Sequence, residues 1–304
     1  MHPNLKLLSN SACSTLHGCP RRFELDRMLG GDEEGDVHTN FGHVVGLGVQ
    51  EMLTHGDYPR TVWEMFKQWR GDDFDPEDGI RIKKTFWWAM EAVARFQRLR
   101  NNIFGNMDIA TLNGRPATEL GFKIDCGDGF YYRGFIDAVL INRMKKQLVV
   151  LECKTTKFNK LDEAQWYHSG QALGYSLILD TVIAQEGIEE TSSYEVYYPV
   201  YKSSEADWEC FKFLKNHTRR ALWIKNILLD KKHVIEYFNE EYFPLHGEFC
   251  YNFFKQCPHF GRCEFDNKLL FNPANVPVKE EARHKFDFHF SLEEIVEQQL
   301  LKGA

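Results

Sequence analysis

The 304-residue sequence has no apolar run near the roughly 18 residues that a membrane-spanning helix needs, so no membrane association is expected. Its opening, MHPNLKLLSN, has neither a basic n-region nor an apolar core, so export is not expected and a cytoplasmic location is. Positive charge is not in excess. With 37 Lys and Arg against 44 Asp and Glu, the formal net charge is −7, which argues against a protein that coats duplex DNA by neutralising phosphates non-specifically. A local basic groove is still compatible with that balance. There is no G-x-x-x-x-G-K-[ST] phosphate loop, so any ATP-driven work is expected to come from a partner. No internal repeat, low-complexity linker, appended DNA-reading module or RNA-recognition signature is present, and one domain over residues 1–304 is expected.

What is present reads as a mixed α/β chain. The hydrophobic fraction is 43%, and 24 Phe and 12 Tyr predict a ring-rich core. Helices are predicted over 9–30 (begun by Ser9 or Ser11 and stopped near Gly30-Gly31), 41–55, 60–71 and 80–103, with a polar loop over 31–40. Residues 118–124 (TELGFKI), 130–141 (FYYRGFIDAVLI) and 147–153 (QLVVLEC) predict three strands in an antiparallel meander. A helix over 162–182, a strand over 193–201 and a long helix over 206–230 follow. The Phe-, Cys- and Pro-rich end from 243 is expected to wrap back onto the core, and SLEE at Ser291 predicts a capping box. This order predicts a central mixed β-sheet, the meander plus a further strand, with helices on both faces.

The chemistry concentrates on three residues. Asp137 ends GFID, and Glu152-Cys153-Lys154 follows fifteen residues later. On a strand, Glu152 and Lys154 share a face while Cys153 takes the other, and an antiparallel neighbour can set Asp137 beside Glu152. Two carboxylates at close range repel unless a cation lies between them, and oxygen ligands suit magnesium or manganese. Such a metal polarises a phosphoryl oxygen, and a lysine nearby can orient water or stabilise growing charge. An inter-strand salt bridge would use the same three residues. Arg81, Lys83 and Lys84, and again Lys215, Arg219, Arg220 and Lys225, form two local basic groups, either DNA-facing or on solvated helix faces.

RGFIDAVLI, VVLECKTTK and QALGY at 171–175 together resemble the motif series of RecB-type nucleases (AddB-like and CRISPR-associated exonuclease-like) in the PD-(D/E)XK superfamily. The resemblance implies a restriction-endonuclease-like core over 111–205, preceded by a helical part over 1–110 and followed by a helix with a Cys-rich segment over 206–270 and a tail over 271–304. It implies a magnesium- or manganese-dependent deoxyribonuclease, an exonuclease or end-processing enzyme of DNA recombination, repair or phage DNA metabolism in a prokaryotic or phage-infected cell. A helicase or recombination protein is the implied partner. Asp137 and Glu152 take the metal-binding positions and Lys154 the catalytic one. Gln171 and Tyr175, four apart on one helix face, would contact DNA or brace the site. Glu119 is a candidate third acid. The segment SNSACSTLHGCPRRFEL resembles the family's opening helix.

The family's second helix carries G-x-x-x-H, but here FGHVVGLGVQ puts Gly46 in the histidine's place, leaving His43, Gln50 and Glu51 as alternatives. That departure also admits a non-catalytic DNA-binding or assembly subunit that keeps the fold. Eight Cys in an intracellular chain do not suggest a disulfide framework. Cys126, Cys153 and Cys210 lack cluster spacing. Some relatives hold a [4Fe–4S] cluster with one N-terminal and three C-terminal cysteines, which implies Cys19, Cys250, Cys257 and Cys263, with Cys13 a rival to Cys19. The Cys250–Cys257 interval is wider than the family's. Zinc would accept the same thiolates, and unliganded core cysteines are the remaining reading.

Overall fold

Ser9 accepts a hydrogen bond from the Ala12 N–H and opens helix α1 (Asn10–Gly18), as its residue type predicts. The computed structural model describes residues 1–30, 37–78, 83–252, 255–279 and 285–303. Pro20 then starts a second helix, α2 (Pro20–Met28), because its missing N–H and fixed φ suit a first turn. The expected helix over 9–30 is therefore two helices that meet at Cys19. Helices α3 (Val37–His55), α4 (Tyr58–Gln68) and α5 (Phe86–Ile103) follow. Residues 37–40, expected in a loop, already belong to α3, while 31–36 lie outside the described residues.

The meander is present: β1 (Thr118–Asp125), β2 (Tyr131–Asn142) and β3 (Gln147–Leu151) pair antiparallel. The third strand is shorter than expected. It breaks at Glu152–Cys153 and resumes as β4 (Lys154–Thr156). Next come α6 (Glu163–Tyr167), α7 (Gly170–Glu186) and β5 (Thr191–Lys202), which runs parallel to β3 and β4. The predicted helix over 206–230 is instead a strand, β6 (Asp207–Leu214), followed by α8 (His217–Asn239). DWECFKFL alternates and pairs with β5 as a hairpin, so tertiary pairing overrides its helical reading.

The tail supplies a strand that sequence periodicity did not reveal. β7 (Phe286–Ser291) lies parallel to β1 and is followed by α9 (Leu292–Gly303). The capping box forms: the Ser291 N–H donates to Glu294 Oε2 and the Glu294 N–H to Ser291 Oγ. Strand order is β6-β5-β3-β2-β1-β7, with β4 extending the pairing to β5.

Both faces of the sheet are used. Helices α7 and α8 cover one, over Leu120, Phe122, Ile136, Val150, Tyr198 and Phe288. Helices α3 to α5 pack on the other, over Ala138, Leu140, Val149, Leu151, Tyr197, Tyr201 and Trp208, which lie on β2, β3, β5 and β6. Helix α7 lies so close to α8 that a Cβ at Gly174 would stand 2.4 Å from the Trp223 ring, so a larger residue there would force the helices apart. Among the described residues, no helix is long and apolar enough to cross a membrane.

Candidate active site

Asp137 and Glu152 meet where the meander frays. Strand β3 leaves β2 after Leu151, whose partner is Ala138, so the next backbone N–H on that side loses its ladder acceptor. The Cys153 N–H donates instead to Asp137 Oδ2 at 2.8 Å, while the Glu152 N–H stays on β5 through Tyr197 O at 2.9 Å. This divergence opens a gap between two strands and lines it with carboxylates. Glu152 is 1% exposed. Its Oε1 accepts from Lys154 Nζ at 2.5 Å, and its Oε2 is buried with no hydrogen-bond partner.

Lys154 is held from a second side. Its Nζ also donates to Gln171 Oε1 at 3.3 Å, and Gln171 Nε2 donates to the Tyr175 hydroxyl at 2.7 Å. Tyr175 is 4% exposed and packs edge-on against Phe122. The sequence left open whether Gln171 and Tyr175 reach DNA or brace the site. Burial of Tyr175 removes it from any substrate surface and leaves the bracing geometry.

A third acid stands across the strand pair. Thr118 and Leu120 pair with Ala138 and Ile136, so Glu119 lies opposite Asp137. Its φ of 52° is left-handed, a conformation that costs a non-glycine residue energy and turns the side chain out of the regular pleat. Glu119 Oε1 accepts from Gln50 Nε2 at 2.6 Å, and Gln50 is 5% exposed. Helix α3 thus sends Gln50 to the acids. His43 is exposed, a Cβ at Gly46 would meet nothing within 4 Å, and Glu51 is engaged with His55 and Arg60. The sequence register that compared Gly46 with the family's histidine was one helical turn early for a contact with this site. Nothing in the linear pattern distinguishes those turns; only the approach of α3 to β1 does.

The electrostatics are those of acids in want of a cation. Burial raises the Asp137 carboxyl well above the ordinary carboxylate range, and the neighbouring Glu152 raises it further. Glu152 is also raised by burial, against the pull of Lys154. Burial acts to lower the Lys154 ammonium, but the charges of Glu152 and Asp137 outweigh it and hold the lysine protonated. Two acids so placed hold protons more firmly than isolated carboxyls do, and a divalent cation can take the protons' place. The orphaned Glu152 Oε2 beside Asp137 and Glu119 fits such an ion, although among the described residues no three His, Cys, Asp or Glu already enclose one metal position.

A family model described as the PD-(D/E)XK nuclease superfamily matches residues 7–264. The chain belongs to that superfamily. No curated protein matches. Among solved structures, the chain is similar to a Eubacterium rectale protein named "Putative exonuclease", at 12% identity and a TM-score of 0.50 over 92% of each chain. A second structure, named SSO0001, shares 12% identity over 86% of this chain and 87% of its own at a TM-score of 0.32. The mixed sheet between helical layers is the restriction-endonuclease-like fold of this superfamily.

Most described members of the two basic groups expected from the sequence are engaged within the fold, while Lys225 is exposed. Lys215 and Arg220 are both 0% exposed. Lys215 Nζ donates to Trp166 O and Tyr167 O at 2.7 Å, closing the C-terminus of α6, and burial lowers its ammonium to about 8. Arg220 pairs with Asp180 inside the α7–α8 contact, and Arg219 lies over the Tyr167 ring. Lys84 is buried over Phe41, and Lys83 binds Ser204 O; Arg81 lies outside the described residues.

Arg21 stitches the Cys-rich segment to α2. It bonds Cys263 O, Phe265 O, Glu24 and Asn267, while His259 pairs with Asp26. These contacts bring the C-terminal cysteines to Cys19. The Cys263 thiol is raised by burial and then by Cys257, Cys19 and Cys250, so all four lie within electrostatic reach. Cys13 is elsewhere, beside Asp230 and Tyr132.

Proposed function

We propose that this chain is a metal-dependent DNA nuclease, an exonuclease or end-processing enzyme rather than a sequence-specific endonuclease. The observation that carries the reading is the convergence of Asp137, Glu152 and Lys154 with a buried carboxylate oxygen left unpartnered. Asp137 and Glu152, with Glu119 as a third acid, would hold magnesium or manganese. The metal supplies Lewis-acid polarisation of the scissile phosphate and neutralises its charge. Lys154, kept protonated, donates hydrogen bonds to the attacking water or to a phosphoryl oxygen as charge grows there. Gln171 and Tyr175 are positioning residues that restrict where the Lys154 ammonium can sit. Helicase activity, if the pathway needs it, comes from a partner in the cytoplasm of a prokaryotic or phage-infected cell, in recombination, repair or phage DNA metabolism.

The expected result is cleavage of end-labelled DNA with magnesium or manganese, none in EDTA, and none by Glu152→Gln under any condition. Cleavage that survives Glu152→Gln, or that proceeds in EDTA, would overturn the reading.

The same proposal assigns Cys19, Cys250, Cys257 and Cys263 to a structural [4Fe–4S] cluster that ties the chain's end to its first helices. Support comes from the shared locality of the four thiols and from Arg21, two residues after Cys19, which bonds Cys263 O. Anaerobically purified protein is expected to be brown, with broad visible absorbance lost in Cys257→Ser. Colourless protein carrying zinc, or no metal, would remove the cluster.

A further inference from the structure

Helix α4 carries more apolar surface than its packing uses. Thr61 and Met65 are buried, and Val62 and Trp69 are partly so. That stripe, at steps of three and four, is the face a surface helix is expected to turn to its neighbours. Trp63 and Phe66 lie off it, 60% and 47% exposed, and Phe74, after the helix, is 41% exposed. The three rings form one patch: Trp63 stacks on Phe66 at 5.9 Å, and Phe66 meets Phe74 at 6.2 Å. At roughly 200 Å² a ring, about 300 Å² of aromatic surface stays in water, a size at which an exposed patch is often functional.

The patch is held from beneath. Phe66 and Phe74 meet Phe86 edge-on at 5.8 and 5.9 Å, and Phe86 is buried. The Phe86 N–H donates to Asp73 O at 3.0 Å and the Trp87 N–H to Phe74 O at 3.1 Å, which pins this turn to the start of α5. Rings already fixed in an exposed position lose little freedom when a partner covers them.

Charge chooses the occupant. Residues 71–78, GDDFDPED, put five acids and no base around Phe74, and all five acids are exposed. Among the described residues, the Asp72, Asp73 and Glu77 side chains make no hydrogen bond or ion pair. On α4, Lys67 pairs with Glu64 and Arg60 with Glu51; Arg70 is exposed. A nucleic-acid strand would bring phosphates against these acids, and a second copy docked through the same patch would bring the same acids. An extended peptide gains main-chain bonds at a sheet edge, whereas this patch lies on α4 and the start of α5. Apolar side chains one turn apart on a helix lie roughly 5–6 Å from each other, close to the 5.9 and 6.2 Å between the rings. We propose that the patch docks a basic amphipathic helix of another protein, with its apolar side chains on Trp63, Phe66 and Phe74 and its Lys or Arg residues on the acids of 72–78. The proposal uses none of the residues of the nuclease reading and does not depend on it.

The test is fluorescence anisotropy of a fluorescein-labelled designed peptide of about 18 residues, or five helical turns, with a leucine stripe flanked by lysines. A second peptide carries glutamate in place of each lysine. Wild type is expected to bind the lysine peptide and not the glutamate one. Trp63→Ala should weaken binding about thirtyfold, the loss expected of a hot-spot ring. Asp72→Asn/Asp73→Asn/Glu77→Gln should weaken it about tenfold at low salt and remove most of its salt dependence. Thermal melts check that both variants are folded, and Trp63→Ala should cut DNA as wild type does. No binding by wild type, or wild-type affinity in folded Trp63→Ala, would overturn the proposal. Equal binding of the glutamate peptide would do the same by making the acids irrelevant. So would a dimer in sedimentation that Trp63→Ala dissolves, which makes a second copy the occupant, or single-strand DNA binding in EDTA that Trp63→Ala abolishes. The nuclease reading fails by a different result, cleavage that survives Glu152→Gln.

Discussion

Asp137→Asn is expected to abolish cleavage and, in metal-free protein near neutral pH, to raise the melting temperature. The loss of activity follows from removing a carboxylate whose charge holds the metal; forfeiting several kcal/mol of transition-state stabilisation lowers kcat by about 10³-fold or more. The gain in stability follows from linkage. Burial and Glu152 raise the Asp137 carboxyl in the folded state above its unfolded value. Its contribution to stability is therefore fully present below the unfolded value, near 3.9, and is lost as pH rises through the raised folded one. Asparagine keeps an oxygen for the Cys153 N–H but does not ionise. The metal-free wild type should thus fall below the variant as pH rises toward and through the raised Asp137 value, by roughly 2–4 °C for each kcal/mol. Magnesium should restore the wild type and leave the variant unmoved. Calorimetric melts in EDTA and in magnesium read this out. A variant that melts below the wild type throughout would show that the acids are not strained by their own charge.

Arg220→Ala is expected to be the most damaging single change away from the acids, lowering stability by about 3–5 kcal/mol. Arg220 is fully buried, donates to Asp180 and to Ser176 O at 2.9 Å, and stacks 3.9 Å from the Tyr194 ring. Alanine would leave the Asp180 carboxylate inside the α7–α8 contact without its guanidinium. Because α7 carries Gln171 and Tyr175, activity should fall with stability at growth temperature but recover on cooling. A double variant, Arg220→Met/Asp180→Leu, should regain most of the loss, since an apolar pair of similar volume avoids the desolvation penalty. Chemical denaturation of the three proteins measures the coupling. If the single variant loses less than about 1 kcal/mol, or the double variant is no better, the pair does not hold the helices as described.

Much of the site was legible in the sequence because its chemistry is local. Asp137, Glu152 and Lys154 lie on strands whose period of two assigns their faces, and Gln171 and Tyr175 lie one helical turn apart, so each pairing needs only a neighbouring strand or turn to form. The meander, the start of α1 and the capping box at Ser291 are likewise set by short-range patterning and hydrogen bonds.

What remained hidden depends on contacts between distant segments. DWECFKFL becomes a strand because β5 offers it an edge, and FDFHFS joins the sheet because β1 does; neither partner is visible from within the segment. Whether a basic residue faces a substrate or the core is also decided at that level. Lys215 and Arg220 are consumed by buried carbonyls and a carboxylate, while Lys123 and Arg133 stand opposite each other on β1 and β2. The sequence by itself determined which side chains can do the chemistry, since that follows from residue type and short spacing. Only the tertiary structure decided which glutamine reaches the third acid and which strands α3 to α5 cover, because both depend on where those helices pack.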